Sequence, residues 1–221
     1  MSPHLDKAYY LPDVLPRSFY GPGFGQGLGG YGDLQEVYRK FMLCREASAL
    51  PAKPEIIGGF DPLGRTHSQW VRAFVVEPTH SVRSSYGFNG WVPGPPDHWI
   101  ASQLGKPVWV SCLVKGASSV PTYFDCMLDF ACPQETDIPA PTEDAPKEFF
   151  QTTFGMPLCA MDRHRGGNNS LFMDWSVRKV GVKELWTLKW SPDYNTGGKW
   201  TKQGGVQPEQ WPPWMRKFKD Y

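Results

Sequence analysis

The chain has 221 residues, 23 Lys and Arg against 22 Asp and Glu, a net charge of +1 and 40% hydrophobic residues. That length and apolar content are enough to bury a substantial core, and the near-neutral balance with scattered basic residues gives no electrostatic footprint for nucleic acid. With 23 Gly, 22 Pro and ten Trp, the composition describes a loop-rich chain of short strands with few long helices.

Residues 1–32 read as an irregular N-terminal arm, because Tyr9-Tyr10-Leu11-Pro12 and the Gly-rich run from Gly21 to Gly30 follow neither the helical nor the strand period. Residues 33–221 read as one domain. Asp33, with Glu36 three residues on, is an N-cap for a helix from Leu34 to about Ala47, whose apolar face carries Leu34, Val37, Tyr38, Phe41 and Met42. Residues 49–66 are loop, Trp70 to Val76 is a strand and Ser84 to Val92 is extended up to the turn Pro93-Gly94-Pro95-Pro96. Val108 to Val114 and Thr122 to Leu128, rich in β-branched and aromatic residues and preceded by Pro107 and Pro121, predict the centre of a sheet. Pro133 to Pro146, with four Pro and a run of acids, predicts a surface loop. Lys183 to Trp190 fits a short helix or an irregular hydrophobic plug equally well, and from Tyr194 on the chain is a Gly- and Trp-rich tail.

The most informative segment runs from Arg163 to Val180. Gly166, Gly167, Asn168 and Asn169 are turn residues, since Gly accepts positive φ and Asn bonds its own backbone. Ser170 to Met173 and Ser176 to Val180 form the arms of a hairpin broken at Asp174-Trp175. His164 is followed by nine residues and then Asp174. This pattern resembles the H-X9-DG C-terminal domain of planctomycete-type prepilin-like proteins, the type II secretion pseudopilins and type IV pilin-like proteins. The run Phe172 to Gly181 with Lys183 to Trp190, and the blocks Ser84 to Val92 and Val120 to Cys126, resemble pieces of the same family, together spanning residues 84–200 or so. The Gly of the motif is Trp175 here, so an Asp-Gly type I′ turn would be strained.

The resemblance implies an α+β pilin-like head, an N-terminal helix packed on an antiparallel sheet with long Pro/Gly-rich loops and an aromatic tail. It implies a structural, non-catalytic subunit of a type II secretion pseudopilus or type IV pilus-like filament. Its expected place is the cell envelope, on the periplasmic or cell-surface side of the inner membrane, with other pilin-like subunits and the secretion machinery as partners. Prepilins carry a basic leader and about twenty apolar residues that anchor them; Met1 to Tyr10 is of another kind, so the sequence describes a head whose stem was truncated or lost.

Cys44, Cys112, Cys126, Cys132 and Cys159 form no C-x-x-C pair. An exported head permits a Cys44 to Cys126 disulfide, and buried reduced thiols are the alternative. The family analogy raises calcium, for which Asp193 and Asn195 in the segment Ser191 to Thr196 are the oxygen donors. The alternative from another class is a secreted carbohydrate-binding or hydrolytic domain. It would use exposed Trp in loop contexts, such as Trp91, Trp99, Trp200, Trp211 and Trp214, or a His164, Asp174 and Asp125 cleft in which a carboxylate fixes the imidazole tautomer. In the structural reading His164 bonds backbone where the Gly-Gly turn enters its strand and Asp174 accepts amide hydrogens at the hairpin tip.

Overall fold

A computed structural model describes residues 70–73, 81–92, 105–128, 130–143 and 154–221, all within the compact unit Met42–Tyr221. The expected helix from Leu34 to Ala47, the N-terminal arm and Cys44 lie outside the described residues. β1 (Trp70–Ala73) pairs antiparallel with β2 (Ser81–Ser84) as a two-stranded sheet. A five-stranded sheet follows, formed by β3 (Tyr86–Asn89), β4 (Pro121–Asp125), β5 (Phe130–Ala131), β6 (Gly167–Phe172) and β7 (Val177–Gly181) in the order β5-β3-β4-β6-β7. All of its pairings are antiparallel except β3 with β5, so the sheet is mixed where an antiparallel one was expected. The departure is local: β5 holds only two residues and returns beside β3 from a bend after Asp125. The architecture is of the α+β kind, though every helix among the described residues is a short 3₁₀ turn. Among them, no helix is long and apolar enough to cross a membrane.

β4 sits at the sheet centre as its residue types predict, but it stops at Asp125, and Cys126 to Leu128 turn inward as buried core. The predicted strand over Val108 to Val114 is not one. The Trp109 N–H donates to the Trp91 carbonyl at 2.7 Å and its indole Nε1 to the Trp190 carbonyl at 3.0 Å, while Val110 and Leu113 are 81% and 92% exposed. β-propensity describes a fit to a half-buried pleated surface, and among the described residues no neighbouring strand supplies that surface. Ser84 to Val92 is likewise not one element, because Ser85 bends the chain between β2 and β3.

The core joins the sheet to the Trp-rich C-terminal segments. Phe124 meets Trp190 edge-on with ring centroids 4.9 Å apart, and Trp211 packs against both Trp186 and Trp200. The segment Lys183 to Trp190 resolves as a 3₁₀ helix, Lys183–Thr187, followed by an extended return, with Leu185, Trp186, Leu188 and Trp190 buried. Asn89 fixes that return: its Nδ2 donates to the carbonyls of Pro121 and Trp190, at 2.8 and 3.0 Å. The acidic Pro-rich segment is not simply a surface loop. Pro133, Asp137, Pro139 and Ala140 are buried, because the Asp137 carbonyl accepts from Trp186 Nε1 and the Ala140 carbonyl from Trp214 Nε1.

Candidate functional site

The chain enters β6 through a strained turn. Arg165 and Gly166 both take positive φ, 53° and 82°, and the Gly166 N–H donates to Asp162 Oδ1. Gly166 also makes room for Phe218: a Cβ there would lie 2.8 Å from the ring. Gly167 lies under the Lys179 side chain, 2.3 Å from where its Cβ would stand, so the aliphatic stem of Lys179 crosses the strand only because residue 167 is Gly.

Immediately before this turn, Arg163 and His164 reach the end of β4. Arg163 Nη1 donates to Asp125 Oδ1 at 3.0 Å and to the Ser85 carbonyl, with both charged side chains fully buried. His164 Nε2 stands 3.0 Å from Asp125 Oδ2, which also accepts the Asn169 N–H at 2.7 Å. The Asn169 carboxamide is 3.0 Å from the same Nε2. Taking the carboxylate as the partner of Nε2 puts the proton on that nitrogen, and the Asn169 Nδ2 beside it then has no lone pair there to donate to. Asn168 continues the network. Its Nδ2 donates to the carbonyls of Asp125 and Cys159, and its Oδ1 accepts from the Ser170 hydroxyl. One fully buried carboxylate thus joins β4, β6 and the turn, and through Arg163 the bend before β3, with donors on both oxygens, a role suited to holding a scaffold rather than meeting a solvent-borne substrate.

Asp174 is elsewhere. It lies beyond the far end of β6, whose six residues span roughly 20 Å at about 3.3 Å per residue. There it caps its own turn, accepting the Ser176 N–H at 3.0 Å and the Ser176 hydroxyl at 2.6 Å, contacts that hold the exposed carboxyl below its ordinary range. The structure therefore brings His164 and Asp125 together and leaves Asp174 out, so the three do not form the cleft that a hydrolytic reading requires.

The hairpin tip puts Trp175 at a position that favours Gly. The Trp175 N–H donates to the Phe172 carbonyl and the Phe172 N–H to the Ser176 carbonyl, while Trp175 has φ 68°. This is a type I turn closed by a left-handed residue, the three-residue hairpin loop, and not the two-residue type I′ turn expected for Asp-Gly. Trp175 occupies the left-handed position, where an L side chain is disfavoured by roughly 1 to 2 kcal/mol. Trp175→Gly is expected to raise stability by about 1 kcal/mol, less than the full strain because Gly also loosens the unfolded chain. An unchanged or lowered urea midpoint in that variant would show that the indole holds the turn.

Other sequence candidates separate cleanly. Trp91 and Trp211 are buried and Trp200 nearly so, Trp214 is half-buried, and Trp99 lies outside the described residues. Trp91, Trp200 and Trp211 are packing, whereas Trp175 is 65% exposed and faces solvent. Asp193 Oδ1 accepts from the Ser191 hydroxyl and Asn195 Oδ1 from the Gly197 N–H, so both donors serve local turns. Among the described residues, no group of three or more His, Cys, Asp and Glu stands close enough to hold a metal. Cys126, Cys132 and Cys159 are buried, and burial pushes the Cys132 and Cys159 thiols up, away from reactivity.

Sequence reasoning missed Arg163 and Ser85 as partners of the clamp. Arg163 and Arg165 stand two residues apart in the same stretch and only the first is buried, a difference that the local sequence does not carry; once buried, the guanidinium demands a carboxylate. Comparison of the chain with protein-family models, with curated proteins and with solved structures finds no match.

Proposed function

We propose that this chain is the head of a pseudopilin or type IV pilin-like subunit, a non-catalytic structural component of an envelope filament. The observation that carries the reading is the Asp125 clamp. Blocks 84–92, 120–126 and 163–190, in which the sequence resembles that family, become the neighbouring strands β3, β4, β6 and β7. They are joined by Ser85, Asp125 and Arg163, with His164 of the motif on the same carboxylate. A motif whose residues are spent on a fully buried clamp and on a turn cap supports a scaffold role. In this reading an apolar N-terminal helix packs the filament and the head supplies contacts between subunits, at the periplasmic or cell-surface side of the inner membrane.

The test is in-cell cross-linking with mass spectrometry in the source organism, using the native protein. Cross-links from the head to other pilin-like subunits or to secretion machinery, together with recovery in the envelope fraction, are expected. Recovery in the cytoplasm without such cross-links would sink the filament reading.

A further inference from the structure

Among the described residues β7 is an edge strand. In the register of β6 with β7, the backbone groups of Val180 and Arg178 face β6, continuing a ladder that runs from Val182 N–H on the Gly166 carbonyl to Phe172 N–H on the Ser176 carbonyl. The backbone groups of Val177 and Lys179 therefore point outward, and no hydrogen bond reaches them from the described residues. At the lower end the edge is closed, because the Gly181 N–H donates to Glu184 Oε2 and Tyr221 lies against Gly181.

This open stretch has two chemically distinct ends. At the hairpin tip stand Trp175 and Val177, 65% and 71% exposed, an aromatic and a β-branched side chain in succession along the edge. Toward the other end the charges are positive. Lys179 Nζ donates to the backbone carbonyl of Arg165, itself an exposed residue, so the ammonium lies at the turn that carries Arg165. Lys219 stacks on Tyr221, and the Tyr221 carbonyl takes the Lys202 N–H. The carboxylates in this region are already engaged: Asp162 with Lys217, Glu184 with Arg178, and Asp220 with Lys183. Arg165, Lys179, Lys202 and Lys219 have no carboxylate partner among the described residues.

Natural sheets usually blunt or cover an exposed edge, and one that is open, apolar at one end and cationic at the other is a template for strand addition. We propose that the β7 edge binds an extended acidic segment of a partner protein as an added strand. An apolar residue of the segment rests on Trp175 and Val177, its backbone pairs with Val177 and Lys179, and its carboxylates meet Arg165, Lys179 and Lys219. The open backbone groups favour a peptide over a polyanion such as nucleic acid, which has no use for them. At this edge the one exposed indole among the described residues, that of Trp175, supplies no stacking platform for successive bases. The inference does not depend on the filament reading.

The experiment uses the full chain and a fluorescein-labelled nonapeptide in which Val and Tyr alternate with Glu and Asp. Its controls are the same peptide with Lys for each acid, the same peptide with alternate amides N-methylated, oligo-dT and heparin. Anisotropy should show binding of the acidic peptide that weakens about tenfold with N-methylation and falls further with Lys, consistent with charge steering. Hydrogen exchange should slow at the Val177 and Lys179 amides when the peptide is bound. The Arg165→Glu, Lys179→Glu double variant should lose about tenfold in affinity. Trp175→Gly should also lose affinity while keeping or raising its melting temperature, which separates lost contact from lost fold. No binding of the acidic peptide, equal binding of the N-methylated one, or protection at amides other than those of β7 would overturn the proposal. So would tighter binding of oligo-dT or heparin without protection of β7, which would assign the patch to polyanions.

Discussion

Asp125→Asn is expected to lower the stability of the domain by about 3 to 5 kcal/mol, the range for breaking a buried ion pair by removing one partner. The carboxylate is fully buried and receives Arg163 Nη1, the Asn169 N–H and His164 Nε2. A carboxamide cannot accept on both sides. Whichever way it turns, its NH₂ group faces either the guanidinium or the pair formed by the Asn169 N–H and His164 Nε2, setting donor against donor. Arg163 would keep the Ser85 carbonyl but stand as an uncompensated buried charge. The measurement is urea unfolding followed by tryptophan fluorescence, with the double variant Asp125→Leu, Arg163→Met alongside. The double variant should recover much of the loss, because replacing both charges by apolar groups removes the uncompensated ion. A loss below about 1 kcal/mol in Asp125→Asn would mean that the pair is not dry, and the scaffold role assigned to it would fall.

Local chemistry made the hairpin legible. Gly166 and Asp174 act within a few residues of themselves, through positive φ and an Asx turn, and such effects are written in adjacent residues. Gly167 and Asn168, expected in the turn, instead open β6, where Gly167 admits the Lys179 stem and Asn168 donates to the carbonyls of Asp125 and Cys159. β4 was legible for a related reason: Tyr123 and Phe124 suit a pleated surface, and neighbouring strands supplied one. Val108 to Val114 carried the same signal and failed, because residue type does not say whether a partner strand will arrive. The clamp was half legible. Asp125 and His164 stood out one by one, but their union with Arg163 and Ser85 joins positions 38 and 78 residues apart, a separation that no local pattern encodes. The left-handed Trp175 also depends on context, since only the observed type I turn shows why the residue after Asp174 carries the strain.

The same long-range logic governs Asp137, which a reading of the sequence places in an exposed acidic loop and the structure places against the core. Its carboxyl is pushed up from 3.8 to about 6, first by burial and then by the Glu135 charge, against the lowering effect of the Gln134 and Met156 N–H groups, which both donate to Oδ2, and of Lys106. Gly155 packs directly on it, 2.2 Å from Oδ2 to where a Cβ would stand, so the site cannot open to admit water without moving the backbone. A folded state that holds its proton more tightly than the unfolded chain is favoured by the neutral form. The stabilisation is complete below about pH 4, is lost as pH rises from there through about 6, and is absent above that. The displacement corresponds to about 3 kcal/mol, at about 1.4 kcal/mol for each tenfold change. Asp174, held below its ordinary range, tilts the profile the opposite way, so the quantity to measure is the difference between the wild-type chain and Asp137→Asn in guanidinium unfolding at pH 4, 5, 6 and 7. Asn keeps an oxygen where both N–H groups donate and never ionises. The variant should therefore match the wild type near pH 4 and exceed it by about 3 kcal/mol at pH 7. Parallel profiles across that range would show that Asp137 titrates as an ordinary carboxyl, and that the turn from Gln134 to Asp137 is wetter than its packing against Gly155 and Met156 implies.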